Sequence, residues 1–593
     1  MCGFAGEVRF DGRAIDMDSL GRMCARLAAR GPDSMGLWQH GPVGLGHRRL
    51  TIIDLSAAGQ QPMIDSALGL SLVFNGCIYN YRELRHDLEA HGYRFFSNSD
   101  SEVILKAYAH WGTSCVEHFL GMFAFAIAER DSGKVVMARD RLGIKPLYIS
   151  RAPGRLRFAS TLPALVAGGG VDTSIDPVAL HHYMTFHSVV PAPLTILAGV
   201  QKLPPATIRV IQPDGKETDH TYWQPRFERP AEQHTKEEWE ELVLEGLRKA
   251  VKRRMVADVP VGVLLSGGID SSLVVALLAE SGQRDLKTFS IGFEAAGGES
   301  GDEFEYSDIV AEAFQTDHRQ IRIDASGLLP AIDGVLENMS EPMISHDCVA
   351  FYLLSEQVSR HVKVVQSGQG ADEIFAGYDW YPPLAGVPRD GALDAYSRVF
   401  FDQTHADMAH VVNPDRLTPY DVSRELVGAH FDRPGAETAL DAALRIDTTI
   451  MLVDDPVKRV DNMTMAWGLE GRVPFLDHQL VEIAAACPPE LKLAHGGKGV
   501  LKDAARKLLP AAVIDRKKGY FPVPGIRHLS GALLGSVREA LLCRSARERN
   551  LFRPTYVQRL LETPNDVRST LGSNMTWQLG LLELWFQKHG VGG

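Results

Sequence analysis

The sequence predicts two domains of different class: a β-rich α+β unit over residues 1–210, and an α/β unit built on a doubly wound parallel sheet over residues 241–593. Three observations carry this reading. At 593 residues the chain exceeds what one hydrophobic core organises. Its first third holds short strand patterns bounded by turn residues, whereas the remainder alternates apolar strands with helices. Between the two, residues 211–240 are polar with few aliphatics, as a linker should be.

In the first unit, strand patterns recur as GLSLVFNG around Val73, FAFAIAER around Phe125, KVVMARD around Val136 and LYIS after Pro146. Turn residues between them suit antiparallel pairing. In the second unit, helix EEWEELVLEGLRKAVKRRM leads into strand VGVLLSG, helix SSLVVALLAES and strand LKTFSIGF. Strand HVKVVQSG then runs into a second glycine-rich turn. Such alternation implies a parallel sheet covered on both faces. Residues 381–450 are weakly patterned and expected to be helical.

Bulk properties narrow the function. The formal net charge of -12 argues against a nucleic-acid partner, which calls for a basic surface. No apolar run reaches the ~18 residues of a membrane span, and the first residues lack the basic and apolar regions of a secretory signal. Seven scattered cysteines without CxxC spacing fit a reducing cytoplasmic setting and argue against structural zinc. A catalytic metal is then expected to be a hard cation on carboxylates.

A cysteine at position two becomes residue one if Met1 is removed. Its thiolate can attack a carboxamide while its own α-amine, with a pKa of about 8, shuttles the proton. Alone, Cys2 is a weak signal. It is followed, however, by Arg30-Gly31-Pro32-Asp33, His47-Arg48-Arg49-Leu50, Asn75-Gly76 and Asn98-Ser99-Asp100. With these segments in this order the chain resembles the class II glutamine amidotransferases. That resemblance implies an N-terminal-nucleophile αββα sandwich. It also implies a glutamine site in which Arg49 clamps the α-carboxylate, Asp100 takes the α-ammonium, and Asn75 and Gly76 form the oxyanion hole. One position departs: the family's N-G-E-I-Y-N reads Asn75-Gly76-Cys77-Ile78-Tyr79-Asn80, so a glutamate that helps hold the ammonium is missing.

Ser266-Gly267-Gly268-Ile269-Asp270-Ser271-Ser272 lies between an apolar strand and a helix. Its glycines let the backbone approach phosphate oxygens, and its hydroxyls and helix N-terminus supply donors. The loop differs from GxxxxGK[ST] and resembles the pyrophosphate loop of N-type ATP pyrophosphatases, which release AMP. Ser367-Gly368-Gln369-Gly370-Ala371-Asp372-Glu373 forms a second such loop. Asp270 and Asp372 end two different strands, where an open α/β sheet gathers its ligand, and two carboxylates with phosphate oxygens suit Mg²⁺.

Farther on, DNMTMAWGLEGRVPFLDH (Asp461 to His478) and RKKGYF (Arg516 to Phe521) are similar to the glutamine-hydrolysing asparagine synthetase family. The resemblance spans Cys2 to about Phe521. It implies adenosine contacts from Leu264, Ile291, Ser367 and Gly368, with Lys517 neutralising pyrophosphate. It further implies an internal tunnel that carries ammonia to an adenylated carboxylate, giving an amide, AMP, pyrophosphate and glutamate. The expected ligands are glutamine, ATP, Mg²⁺ and a small carboxylate acceptor. No motif sets the oligomeric state, and a homodimer is the expectation.

Three departures concern the acceptor. The family's S-G-E-G-A-D-E carries Gln369 here, D-R-M becomes Asp461-Asn462-Met463, and D-E-P becomes Ser340-Glu341-Pro342. Placed around one pocket, with Gln369 and Asn462 as its lining, they imply an acceptor less charged than aspartate. Together with YMTFHSVVPAP (Tyr183 to Pro193), EYSD (Glu305 to Asp308) and SEPMISHDCVAFY (Ser340 to Tyr352), they make the chain similar to the N-acetylglutaminylglutamine amidotransferase group. Those enzymes amidate the C-terminal carboxylate of a blocked dipeptide to make a neutral osmolyte. The alternative is asparagine synthesis from aspartate.

Overall fold

The computed structural model describes residues 2–294, 302–324, 327–516, 519 and 523–592. Its first unit contains two six-stranded antiparallel sheets. Along one, the order is Val200–Lys202, Tyr148–Ala152, Arg155–Ala159, Gly3–Arg9, Val43–Arg49, Ser34–His40. Along the other it is Glu217–Thr221, Thr207–Ile211, Val135–Arg139, Gly121–Glu129, Leu70–Ile78, Met63–Asp65.

Strand periodicity explains how the sheets stack. Successive side chains point to opposite faces. Val73, Ala124, Ala126 and Met137 pack with Phe4, Val8, Leu45 and Phe158 of the other sheet. Their neighbours Leu72, Phe74, Phe123 and Ile127 point outward and meet helices Tyr81–Ala90 and Asp100–Trp111. On the far side, helices Met17–Arg26 and Leu162–Gly168 pack against Ala5 and Ala159. The four layers are helix, sheet, sheet and helix. The central strands Leu70–Ile78, Gly121–Glu129 and Val135–Arg139 are buried on both faces, so they read as nearly unbroken apolar runs.

The expected linker is shorter than residues 211–240. Glu217–Thr221, inside it, pairs antiparallel with Thr207–Ile211 and closes the second sheet. Its polarity is that of an exposed edge strand, which leaves one side to solvent. Helix Lys236–Arg253 begins at a capping box formed by Thr235 and Glu238, which satisfies its first backbone donors.

The second unit is organised by a five-stranded sheet in the order Asp317–Ile323, Lys287–Phe293, Val261–Leu264, Val364–Gln366, Glu470–Arg472. Every neighbouring pair is parallel. Strand order reverses between Val261–Leu264 and Val364–Gln366, so the crevice for a ligand opens beyond their C-terminal ends. The expected helical stretch contains helices Ala392–Phe400, His405–Val411, Val422–Phe431 and Ala439–Ile446. The last continues through π-turns Asp447–Met451 and Val453–Val457 into helix Lys458–Met465. Pro456 lies in the second π-turn, where a residue without an N–H is accommodated by widening the helix. Among the described residues, no helix is long and apolar enough to cross a membrane.

Buried charges join the two units. Arg30 pairs with Asp461 at 2.8 Å, and Lys145 reaches the same carboxylate at 3.2 Å. Lys202 contacts Glu341 at 2.9 Å and Asp454 at 2.8 Å, with Lys458 3.1 Å from Glu341. Buried ions repay desolvation only in good geometry, so these contacts set one docking register rather than a large stability.

Candidate active sites

The first site forms where strand Gly3–Arg9 begins, beside residues of Val43–Arg49 in the same sheet and Leu70–Ile78 in the other. Cys2, Arg49, Gly76, Cys77, Ser99 and Asp100 line a common cleft. Asn75 reaches it from behind: its Oδ1 accepts the Cys2 backbone N–H at 3.0 Å. The Asn75 Nδ2 is buried and has no hydrogen-bond partner among the described residues. An orphaned buried donor calls for explanation, and an oxyanion that develops during reaction would satisfy it. Gly76 adopts a φ of 155°, and a Cβ there would come within 2.1 Å of the Met122 carbonyl oxygen. Only glycine lets this strand pass so close.

Electrostatics fit a zwitterionic ligand. Arg49 is anchored by donating to the carbonyls of Ser56 (2.9 Å) and Asp54 (2.5 Å), which holds its planar fork at the cleft. Burial pushes the Cys2 thiol above its usual range, so a base must accept its proton. His47 does not act as that base in its buried setting: burial lowers it to about 3, and its Nε2 faces the Phe74 carbonyl. Burial raises the Asp100 carboxyl to about 6, while its Oδ2 accepts the Ile78 N–H at 3.0 Å.

A pH dependence follows. A raised carboxyl pKa means Asp100 is ionised above about pH 6 and neutral below it. The kcat/KM for glutamine reports the free enzyme. It is expected to fall about tenfold per pH unit below that value. A profile flat to pH 5 would remove Asp100 from ammonium recognition.

The second unit contributes to this same cleft. Glu470 and Arg472 line it from the edge strand of the parallel sheet. Sequence reasoning had no role for either, although both lie in the quoted LEGRVPF segment.

The nucleotide-type site lies at the sheet's switch point. Leu264, Ser266, Asp270, Ser271, Ile291, Ser367, Gly368, Gln369 and Asp372 line one cavity. Phe289, Phe351 and Leu354 supply apolar walls suited to a purine. Gly267 has a φ of 74°, and a Cβ there would lie 2.6 Å from the Ser307 nitrogen. Gly268 caps helix Ile269–Glu280 without a side-chain hydrogen bond, leaving its first N–H groups toward the cavity end. Ser272 spends its hydroxyl on the Gly268 carbonyl at 2.7 Å and serves the turn.

Asp270 and Asp372 converge. Lys498 Nζ lies 2.6 Å from Asp270 Oδ2 and 2.9 Å from Asp372 Oδ1. Burial opposes the Lys498 charge, yet the two carboxylates raise its pKa above the ordinary value. Two carboxylates within reach of one small cation fit Mg²⁺, which takes one or two of them and phosphate oxygens. Among the described residues, no cluster of three His, Cys, Asp or Glu side chains stands ready for a metal. Lys498 follows Gly496-Gly497 without a recognised motif, so its role is visible only in three dimensions. Lys517, expected at the pyrophosphate, lies outside the described residues; its neighbour Arg516 donates to Glu303 at 2.8 Å on the cavity wall.

The three acceptor departures do not share one pocket. Gln369 lines the nucleotide cavity. Asn462 lines a separate small cavity with Arg26, Arg30 and Thr161 at the domain boundary. Its Oδ1 accepts the Ser340 backbone N–H at 2.6 Å, which places residues 340 and 462 in contact away from Gln369. A further cavity, of about 400 Å³, opens beside Glu373. Its lining includes Glu373, Tyr378, Trp380, Arg459, Trp577 and Asn574. Asp372 faces the nucleotide cavity and Glu373, the next residue of the same short helix, faces the larger one. Burial raises Glu373 to about 7, and Tyr378 donates to it at 2.8 Å.

The model of the asparagine synthase family matches residues 242–587, and that of the glutamine amidotransferase domain matches residues 1–223. Asparagine synthetase [glutamine-hydrolyzing] 1 of Bacillus subtilis is 34% identical over 568 residues, covering 89% of this chain and 88% of its own. A putative asparagine synthetase [glutamine-hydrolyzing] of Mycobacterium tuberculosis is 34% identical over 558 residues, covering 86% and 84%. Amidase chry2 of Gibberella zeae is 27% identical over 571 residues, covering 84% of each chain.

Proposed function

The chain belongs to the asparagine synthase family and is a carbon–nitrogen ligase of the glutamine-hydrolysing type, and we propose that its acceptor is the C-terminal carboxylate of a blocked dipeptide of the N-acetylglutaminylglutamine kind. The observation that carries this reading is the cavity of about 400 Å³ beside Glu373. That volume lies within the ~300–1,000 Å³ of drug-sized ligand sites and exceeds the needs of aspartate. Its walls combine Trp380, Trp577 and Asn574, which suit amide groups, with Arg459 and Arg568, which suit a carboxylate. Gln369, in the nucleotide cavity, is neutral and cannot hold an ammonium by charge.

In this reading Cys2 attacks the glutamine carboxamide, Asn75 Nδ2 and the Gly76 backbone hold the oxyanion, and Arg49 and Asp100 orient the substrate. The Ser266–Ser272 loop binds the ATP phosphates, with Leu264, Ile291, Ser367 and Gly368 on the adenosine. Asp270 and Asp372 would hold Mg²⁺, which supplies charge neutralisation at the phosphates. Ammonia then crosses the domain boundary internally. What supports an internal route is chemical: free ammonia is mostly protonated at neutral pH, and the boundary is sealed by the buried Arg30–Asp461–Lys145 contacts.

The discriminating experiment offers aspartate and N-acetyl-Gln-Gln separately, with ATP and glutamine, and follows pyrophosphate. Turnover of the dipeptide at least ~100-fold above aspartate, about 2.7 kcal/mol of discrimination, is expected. Turnover of aspartate with an inert dipeptide would refute the assignment.

A further inference from the structure

The glutamine cleft is one carboxylate short where Cys77 stands, and the second unit brings a carboxylate to it. Glu470 lines the cleft together with Cys2, Arg49 and Asp100, although it is 468 positions from Cys2 in a chain whose amidotransferase segment ends near residue 223. We propose that Glu470 is a glutamine-binding residue: with Asp100 it receives the α-ammonium, replacing across the domain boundary the carboxylate that Cys77 cannot provide.

Charge supports this. Burial works to raise the Glu470 carboxyl, but the neighbouring Arg472 guanidinium, with the positive charges of the chain's amino terminus and Lys145, outweighs it and holds the group down at about 2, so Glu470 is anionic at any working pH. Arg472 Nε donates to Glu470 Oε1 at 2.5 Å. A carboxylate offers about four acceptor positions, of which this bond takes one. Arg472 is itself fixed by donating to the Arg254 and Val256 carbonyls, each at 2.8 Å, and it touches Cys77 Sγ at 3.7 Å. A glutamate at position 77 would stand against this guanidinium. The small thiol there leaves Arg472 to Glu470. Counted together, Arg49 and Arg472 balance Asp100 and Glu470, which gives a neutral cleft for a zwitterion.

The placement also ties the two sites mechanically. Strand Glu470–Arg472 runs parallel to Val364–Gln366, and the Ser367 N–H donates to the Arg472 carbonyl at 2.8 Å. Ser367 begins the loop that lines the nucleotide cavity. One wall of the glutamine cleft is therefore part of the sheet that carries the nucleotide loops.

The test compares L-glutamine with glutaramate, which has the same carboxamide and carboxylate but no α-ammonium, as glutaminase substrates of the full-length chain. In Glu470→Gln the glutamine KM is expected to rise about tenfold or more. The preference for glutamine over glutaramate should shrink by the same factor. Glu470→Asp, which keeps the charge for Arg472 but withdraws it by one methylene, should reduce the preference by a smaller factor. It also serves if the glutamine variant does not fold. Ammonia-dependent synthesis, measured alongside, reports that the sheet is intact. An unchanged preference in both variants, or equal loss on both substrates, would overturn the assignment and leave Glu470 as a structural partner of Arg472.

Discussion

Replacing Cys2 with alanine is expected to lower glutamine-dependent synthesis and glutaminase turnover by at least ~10³-fold, while ammonia-dependent synthesis stays within about threefold of the parent. The reason is geometric. Cys2 Sγ is the nucleophilic side chain in a cleft that otherwise holds Arg49, Asp100, Ser99 and Ser101, and no second thiol is placed to attack, because Cys77 is packed on Arg472 and burial raises its pKa. The nucleotide-type cavity shares none of the lining residues of the Cys2 cleft, although both touch the parallel sheet. The measurement is amide formation with glutamine and with ammonium salts, at matched ATP and acceptor. Loss of both activities would show that the sites are not separable in this way.

The opposite pattern is expected of Lys498→Ala. Here synthesis should fall about 10²–10³-fold with either nitrogen source, whereas glutaminase turnover persists. Lys498 Nζ is the cation between Asp270 and Asp372 at the mouth of the phosphate loops. Without it the two carboxylates, each about one-fifth exposed, lose a cation that both contact, which favours protonation or separation of the pair. Removing that shared cation also destabilises the fold, so a lower melting temperature accompanies the lost activity. The structure has made room for this side chain: a Cβ at Gly377 would sit 2.3 Å from Lys498 Cε. Acceptor-dependent ATP–pyrophosphate exchange is the direct readout, and near-parental exchange would reduce Lys498 to a packing role.

The pairing of these two outcomes reflects how the chain is put together. Each loop delivers its chemistry from the end of one strand, but the pockets are completed by residues far away in sequence. Glu470 and Arg472 close the glutamine cleft, and Lys498 closes the carboxylate pair. Arg30, through its Nε to the Cys2 carbonyl at 3.3 Å and its fork to Asp461, links the nucleophile's backbone to the helix behind the larger cavity.

Much of the fold was legible because local patterns are dictated by local physics. Buried-on-both-faces strands around Val73 and Phe125 read as apolar runs, and alternating strands and helices after residue 240 read as a parallel sheet. The polar edge strand Glu217–Thr221 was not legible, since exposure on one side gives it the composition of a linker. The two glycine-rich loops at the strand ends were legible because only particular glycines at fixed spacing permit so close a backbone approach. The grouping of Gln369 with Asn462 and Ser340 was not: Asn462 Oδ1 accepts the Ser340 backbone N–H at 2.6 Å, in a part of the fold that Gln369 does not line.

By itself, then, the sequence determined the two domain types, the candidate nucleophile Cys2 and both strand-end loops, because these depend on residue type and short-range spacing. Tertiary structure alone decided which carboxylates and cations meet: Glu470 beside Asp100, Lys498 between Asp270 and Asp372, Glu373 at the edge of the large cavity. The physical reason is that charge recognition depends on distances of a few ångströms between groups separated by hundreds of residues, and no local pattern encodes those distances.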